Sequence, residues 1–175
     1  MPDTHIPLTS LHIRDFDSQT DSIEELTRLL NKSYQTLAEM GFRFVASHQD
    51  APMTLKRMEN AHCLVGLQNG KIIATILYYP PASAKGAPWY DQPNVAKFGQ
   101  FAVDPEYRRQ GIGDELIRRV EEMAVQDDAK ELALDTAEGA HHLIRYYTAR
   151  GYRLVAYTQW NQTNYRSVLM SKKLT

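Results

Sequence analysis

Phe101-Ala102-Val103-Asp104-Pro105-Glu106-Tyr107-Arg108-Arg109-Gln110-Gly111-Ile112-Gly113 is the stretch on which the fold turns. It closes an apolar run, breaks at Pro105, and brings two glycines to the start of a segment carrying Ile112, Leu116, Ile117, Val120 and Met123 on one face. A strand that runs into a glycine-opened helix makes an anion cradle. The first N–H groups of a helix have no partner within it, and the macrodipole places partial positive charge there. Glycine lets a phosphate approach the main chain, and Arg108 and Arg109 add cationic donors. A P-loop would end in Gly-Lys-Ser/Thr, whereas Asp114-Glu115 follows Gly113; a dinucleotide fingerprint needs a third glycine where Leu116 stands. Taken alone, these residues leave open a coenzyme-phosphate cradle and an ordinary glycine-containing helix start.

Outward from this stretch, the pattern predicts strands over residues 6–16, 62–67, 71–79, 95–103, 131–136, 152–160 and 165–174. Helices are expected over residues 21–40, where Ile23, Leu26, Leu30, Tyr34 and Leu37 recur at helical spacing, over 52–60, from about 111, and over 140–150. Asn69-Gly70 is a strong hairpin signal. Gly99, inside a strand pattern, points to a bulge or a close backbone approach. Residues 80–94 hold four of the eight prolines and read as a loop. The order β-α-α-β-β-β-α-β-α-β-β gives a mixed sheet with helices on its faces, and no linker divides it, so residues 1–175 are expected to form one domain.

The 175 residues are 43% hydrophobic and 23% charged, which excludes wholesale disorder. A net charge of −1 offers no track for nucleic acid or an anionic membrane. The single cysteine, Cys63, excludes an internal disulfide and a cysteine-rich zinc site. With no basic and apolar leader, the expectation is a cytoplasmic protein. The first 60 residues carry nine acidic against six basic residues, which mildly favours a cationic small ligand.

Val103-x-Pro105-x-x-Arg108-x-x-Gly111-x-Gly113 resembles the acetyl-CoA signature of the GNAT superfamily of N-acetyltransferases. Downstream, Tyr147-Thr148-Ala149-Arg150-Gly151-Tyr152 resembles that family's Tyr-x-x-x-Gly-Phe/Tyr, and residues 165–172 resemble its last strand, so the resemblance covers nearly the whole chain. It implies an α/β (α+β mixed sheet) fold. The central sheet would be mostly antiparallel and flanked by helices, with the fourth and fifth strands splayed to admit the cofactor. It also implies acetyl-CoA as cosubstrate, no metal, and direct attack of a small molecule's primary amine on the thioester.

By that resemblance, the backbone of Phe101, Ala102 and Val103 pairs with the pantetheine arm. Arg108, Arg109, Gln110, Gly111, Ile112 and Gly113 hold the pyrophosphate, and Tyr147 is the general acid. Two positions depart from the family pattern: Ala140 replaces a frequent asparagine, and Lys97 stands where some relatives place a glutamate base. Glu106, Asp135, His141 and His142 are base candidates by type only, beside a water chain. The acceptor is expected against the first two helices, the 80–94 loop and the last hairpin. The partner would be a small-molecule amine, with no nucleic acid or membrane, acting on a monomer or homodimer. The rival readings are a non-catalytic acyl-CoA sensor on the same fold and transfer to a protein amino group.

Overall fold

The computed structural model describes residues 10–174. Its elements are β1 (His12–Asp15), α1 (Ile23–Glu39), α2 (Ala51–Met58), β2 (His62–Gln68), β3 (Lys71–Tyr79), β4 (Val95–Val103), α3 (Ile112–Gln126), β5 (Glu131–Ala137), α4 (His141–Thr148), β6 (Arg153–Thr158) and β7 (Ser167–Lys173). Short 3-10 turns at Val45–Ser47 and Pro105–Tyr107 were not legible as separate elements. The start of the expected first strand lies outside the described residues.

Local chemistry sets these boundaries. Ser22 caps α1 by accepting the Glu25 N–H, Glu24 and Glu25 complement the dipole, and Gly41 leaves the helix at φ +95°. Asn69 (φ +50°) and Gly70 (φ +75°) turn β2 into β3, as a two-residue hairpin requires. The closing hairpin is shorter than expected because the polar turn takes up Gln159 and Tyr165: the Gln159 side-chain amide donates to the carbonyls of Trp160, Thr163 and Tyr165.

The seven strands run in the order β1-β2-β3-β4-β5-β7-β6. Every neighbouring pair is antiparallel except β4 and β5. On one face, α3 and α4 pack over Ala96, Phe98, Leu132 and Leu134. On the other, α1 covers Cys63, Val65, Leu67 and Leu77 with Leu26, Leu29 and Leu30. Each such leucine removes enough apolar surface to stabilise the fold by about 1.5–3 kcal/mol. Cys63 is a buried hydrophobe, as its apolar run indicates; burial pushes its thiol up to about 11.

Two irregularities open the sheet. First, Thr75 lies opposite Ala102 and Leu77 opposite Gly99, so β4 carries an extra residue against Ile76. This bulge falls at Gln100 (φ +45°), one residue beyond the expected Gly99. Second, β5 pairs with β4 only where Val95–Lys97 meets Glu131–Ala133, while it follows β7 along its whole length. Beyond Lys97 the two parallel strands part.

Candidate functional site

The gap between β4 and β5 is continuous with a cleft of about 630 Å³ reaching from the start of α3 to Asp135. The loop at its mouth is built from residues that hold one another. Asp104 is 3% exposed; its carboxylate accepts the Glu106 N–H at 3.0 Å and pairs with Lys32 at 3.1 Å. Arg108 turns back, donating from Nη2 to the Ser33 carbonyl (2.8 Å) and from Nε to the Val103 carbonyl (3.3 Å). Arg109 (φ +64°) and Gly111 (φ +80°) are both left-handed. That geometry swings the chain into α3, whose first turn is closed by Glu115 N–H to Gly111 O at 3.1 Å. The N–H groups ahead of that bond have no acceptor within the helix.

Gly113 lies where a side chain would be tightly crowded. A Cβ there would stand 3.0 Å from Phe101 Cζ and 3.2 Å from Tyr146 Oη. The cradle is thus as narrow as a backbone-to-phosphate approach requires. Beside it, Asp114 accepts from Tyr146 Oη (2.9 Å) and Arg150 Nε (2.7 Å), and the Arg150 guanidinium stacks 3.4 Å from the Tyr146 ring centroid.

The strand edge in the gap has a defined polarity. Asp104 N–H bonds Ile73 O across to β3, so Ala102 also faces β3, and Phe101 and Val103 turn their backbone groups into the gap. Their carbonyls are taken by α1 and the loop: Tyr34 Oη donates to Phe101 O (2.9 Å), and Arg108 Nε and Ser33 Oγ donate to Val103 O (3.3 and 3.4 Å). What the edge presents to a ligand is therefore chiefly N–H donors.

Of the nine cofactor residues expected from the sequence, Phe101, Ala102, Val103, Arg108, Arg109, Gly111, Ile112 and Gly113 line the cleft; Gln110 does not. Arg108 is positioned by its carbonyl bonds as a loop staple. Tyr147 lines the far end, buried at 7% exposure between Phe98, Tyr146 and Tyr152 with ring centroids 6.1, 5.2 and 6.2 Å away. Burial, with Tyr34, Tyr146 and Asp135 nearby, holds its phenol well above the ordinary tyrosine range, so it keeps its proton at neutral pH.

The four base candidates separate. Glu106 is 68% exposed and paired with Lys32, and His141 is exposed outside the cleft. His142 lines the cleft from an exposed helix start. Asp135 lines it too and is fixed by two neutral donors, Tyr90 Oη at 2.6 Å and Trp160 Nε1 at 3.0 Å. Sequence reasoning missed Ser33, Tyr34, Leu37 and Phe44, which give the cleft its α1-side wall. Tyr34 was visible only as one more position in the apolar stripe of α1.

The acetyltransferase (GNAT) family model matches residues 23–152. The chain belongs to this family. This GNAT protein is an acetyl-CoA-dependent N-acetyltransferase. It is 34% identical over 131 residues to the S-(2-succino)cysteine N-acetyltransferase of Bacillus subtilis (strain 168), covering 74% of this chain and 77% of that one. It is 28% identical over 160 residues to the S-alkylcysteine N-acetyltransferase of the same organism, covering 88% and 85%. A GNAT family acetyltransferase from Elizabethkingia anophelis, solved with acetyl-CoA bound, shares the fold at TM-score 0.64 and 16% identity, over 94% of this chain and 98% of that one. No helix among the described residues is long and apolar enough to cross a membrane.

Proposed function

We propose that the protein acetylates the α-amino group of a small S-substituted cysteine, or an amino acid much like it. The observation that carries this reading is Asp135. It sits where the cleft ends, on the sheet face covered by residues 80–94 and the end of β6, with its carboxylate oriented by Tyr90 and Trp160. The kind of acceptor is supported by the two curated relatives, which are named for S-substituted cysteines.

The two faces of the sheet divide the work. On the α3 side, the narrow turn at Gly111 and Gly113 and the first N–H groups of α3 bind the pyrophosphate, with Arg109 adding charge. Ala102 and Ile112 wall the cleft, and Gln110 lies between the left-handed Arg109 and Gly111 of the turn. Acetyl-CoA supplies the activated thioester. The N–H groups of Phe101 and Val103 point into the gap and stabilise the oxyanion that forms as the amine nitrogen bonds to the carbonyl carbon. Asp135 attracts the incoming ammonium and takes the proton it must lose. As the carbon–sulfur bond breaks, the Tyr147 hydroxyl donates to the developing thiolate.

The surplus of acid in the first 60 residues does not describe this site. Asp21 is paired with Arg14 at 2.6 Å, and Arg57 acts on the same lysine, Lys97, as Asp135 does. The protein works as one domain spanning residues 1–175, in the cytoplasm, on a small molecule rather than on nucleic acid or a membrane, as a monomer or homodimer.

The test is free thiol release from acetyl-CoA with S-methylcysteine, a polyamine, a lysine-containing peptide and a sugar hydroxyl, with the product identified by mass. N-acetylation of S-methylcysteine well above the other acceptors is expected. Release stimulated by the peptide or the hydroxyl, but by no amino acid, would overturn the reading.

A further inference from the structure

Lys97 and Arg57 are two half-buried cations. Lys97 projects from β4 on the face opposite α3, beside Tyr79 on β3, its register partner. Its Nζ lies 4.8 Å from the centroids of both Tyr79 and Tyr90 and donates to the Lys85 carbonyl at 3.2 Å. Arg57 comes down from α2: its Nη1 donates to Gln49 Oε1 at 2.9 Å, and its carbonyl accepts from Tyr79 Oη at 2.7 Å. Tyr79 thus joins the two residues. Among the described residues neither cation forms an ion pair. Burial lowers the ammonium of Lys97; Asp135 raises it, Arg57 lowers it further and Asp91 raises it, so all four groups share one electrostatic neighbourhood.

A second observation points to a missing acceptor atom. From Arg57 the chain of bonds runs through Gln49, whose Nε2 donates to Gln100 Oε1 at 2.7 Å. Gln100 is 3% exposed, and its own Nε2 has no partner. Buried donors of that kind are ordinarily satisfied. Two half-buried cations and an orphaned amide are thus linked, Lys97 to Arg57 through Tyr79 and Arg57 to Gln100 through Gln49. Lys97 pairs with Ala133, two residues before Asp135 on β5. Arg57, on α2, reaches Tyr79 from the other side of the sequence.

We infer that Lys97 binds the α-carboxylate of the acceptor and that Arg57, with Gln100 Nε2, binds a second carboxylate on its sulfur substituent. The acceptor class is then an S-(carboxyalkyl)cysteine. The inference rests on the reading that the acceptor is an S-substituted cysteine. Asp135 meets the ammonium, and each cation meets one carboxylate.

The test compares kcat/KM of the full chain for S-carboxymethylcysteine and S-carbamoylmethylcysteine, which differ by one charge in nearly the same shape, with S-methylcysteine and 2-(methylthio)ethylamine as further probes. A preference for the carboxymethyl compound of about tenfold or more is expected, the usual scale of one charge-assisted contact. Arg57→Gln is expected to collapse that ratio towards one. Lys97→Met is expected to raise KM for all three amino acids and to narrow their advantage over 2-(methylthio)ethylamine, which lacks the α-carboxylate. Equal kcat/KM for the charged and neutral compounds in the wild-type protein would overturn the inference without any variant, while turnover of S-methylcysteine still upholds the acceptor reading. Turnover of none of the three amino acids would refute that reading, and the inference with it. A ratio unchanged in a folded Arg57→Gln protein would overturn the assignment of Arg57.

Discussion

Replacing Tyr147 by phenylalanine removes one oxygen from the end of the cleft and leaves the ring. The ring packs among Phe98, Tyr146 and Tyr152 at centroid distances of 5.2 to 6.2 Å, and Phe keeps these contacts. No protein group is hydrogen-bonded to the hydroxyl among the described residues, so its removal strands no partner. The stability change should therefore stay within about 0.5 kcal/mol, the range for substitutions that disturb neither packing nor pairing. A hydroxyl buried in a protein hydrogen bond would have cost about 1–3 kcal/mol. The catalytic effect is separate. If the hydroxyl donates to the thiolate, it acts on charge that develops late, and its loss falls on kcat rather than on acetyl-CoA affinity. A drop of roughly 10²-fold is expected, about 2.7 kcal/mol of lost transition-state stabilisation. The assay is steady-state thiol release with saturating S-methylcysteine, beside calorimetric titration of acetyl-CoA and a melting curve. An unchanged kcat, with both controls as expected, would return Tyr147 to a packing role and leave the thiolate to water.

Gly113→Val should abolish calorimetrically detectable acetyl-CoA binding, because even its Cβ meets Phe101 at 3.0 Å and Tyr146 at 3.2 Å. Wild-type affinity in the folded variant would refute the cradle. Asp135→Asn should lower kcat by roughly 10²-fold, the scale of a lost general base. It should also lower the melting temperature, since one amide end now faces a donor, Tyr90 Oη or Trp160 Nε1; unchanged turnover would remove Asp135 from the reaction. Asp21→Asn should cost about 1 kcal/mol at pH 7 by removing the bonds to Arg14. Arg14 holds the folded Asp21 carboxyl below its ordinary value, so this stability is present above about pH 4 and lost as pH falls further. Denaturant melts should show the difference between wild type and variant shrinking below that pH.

What was legible in the sequence was what the backbone itself encodes. The glycine spacing at Gly111 and Gly113, the Asn69-Gly70 turn and the apolar stripes of α1 and α3 are local patterns with a single physical solution, and the structure places them as read. The acceptor side was not legible, because it is assembled across distance. Asp135 is oriented by Tyr90 and Trp160, respectively 45 and 25 residues away in the chain. Lys97 read as a departure from a family pattern, and Arg57 carried no signal of its own. Nothing local says that β3 and β4 bring Tyr79 between them. Bulk charge does not resolve this side of the molecule for the same reason: it counts Asp21 and Arg57 alike, although one is paired with Arg14 and the other has no ion pair among the described residues.

One local irregularity ties the two halves of the site together. Before the bulge, the even-numbered residues Ala96 and Phe98 of β4 pack towards α3, and Lys97 faces the other way. After it, the odd-numbered Phe101 and Val103 pack towards α3, and Ala102 joins the α1 side. A period-two strand can exchange its faces only by gaining a residue, and the gain falls at Gln100. A left-handed non-glycine residue costs of order 1–3 kcal/mol. The hydrogen bond from Gln49 to the Gln100 side chain holds it there. A regular β4 would carry Lys97 and Phe101 on the same face, crowding the acceptor side with an aromatic ring. The bulge lets one strand carry Lys97 on one face and line the cleft with Phe101 and Val103 on the other. It also sits where β4 and β5 part, so the two substrates can meet through the gap.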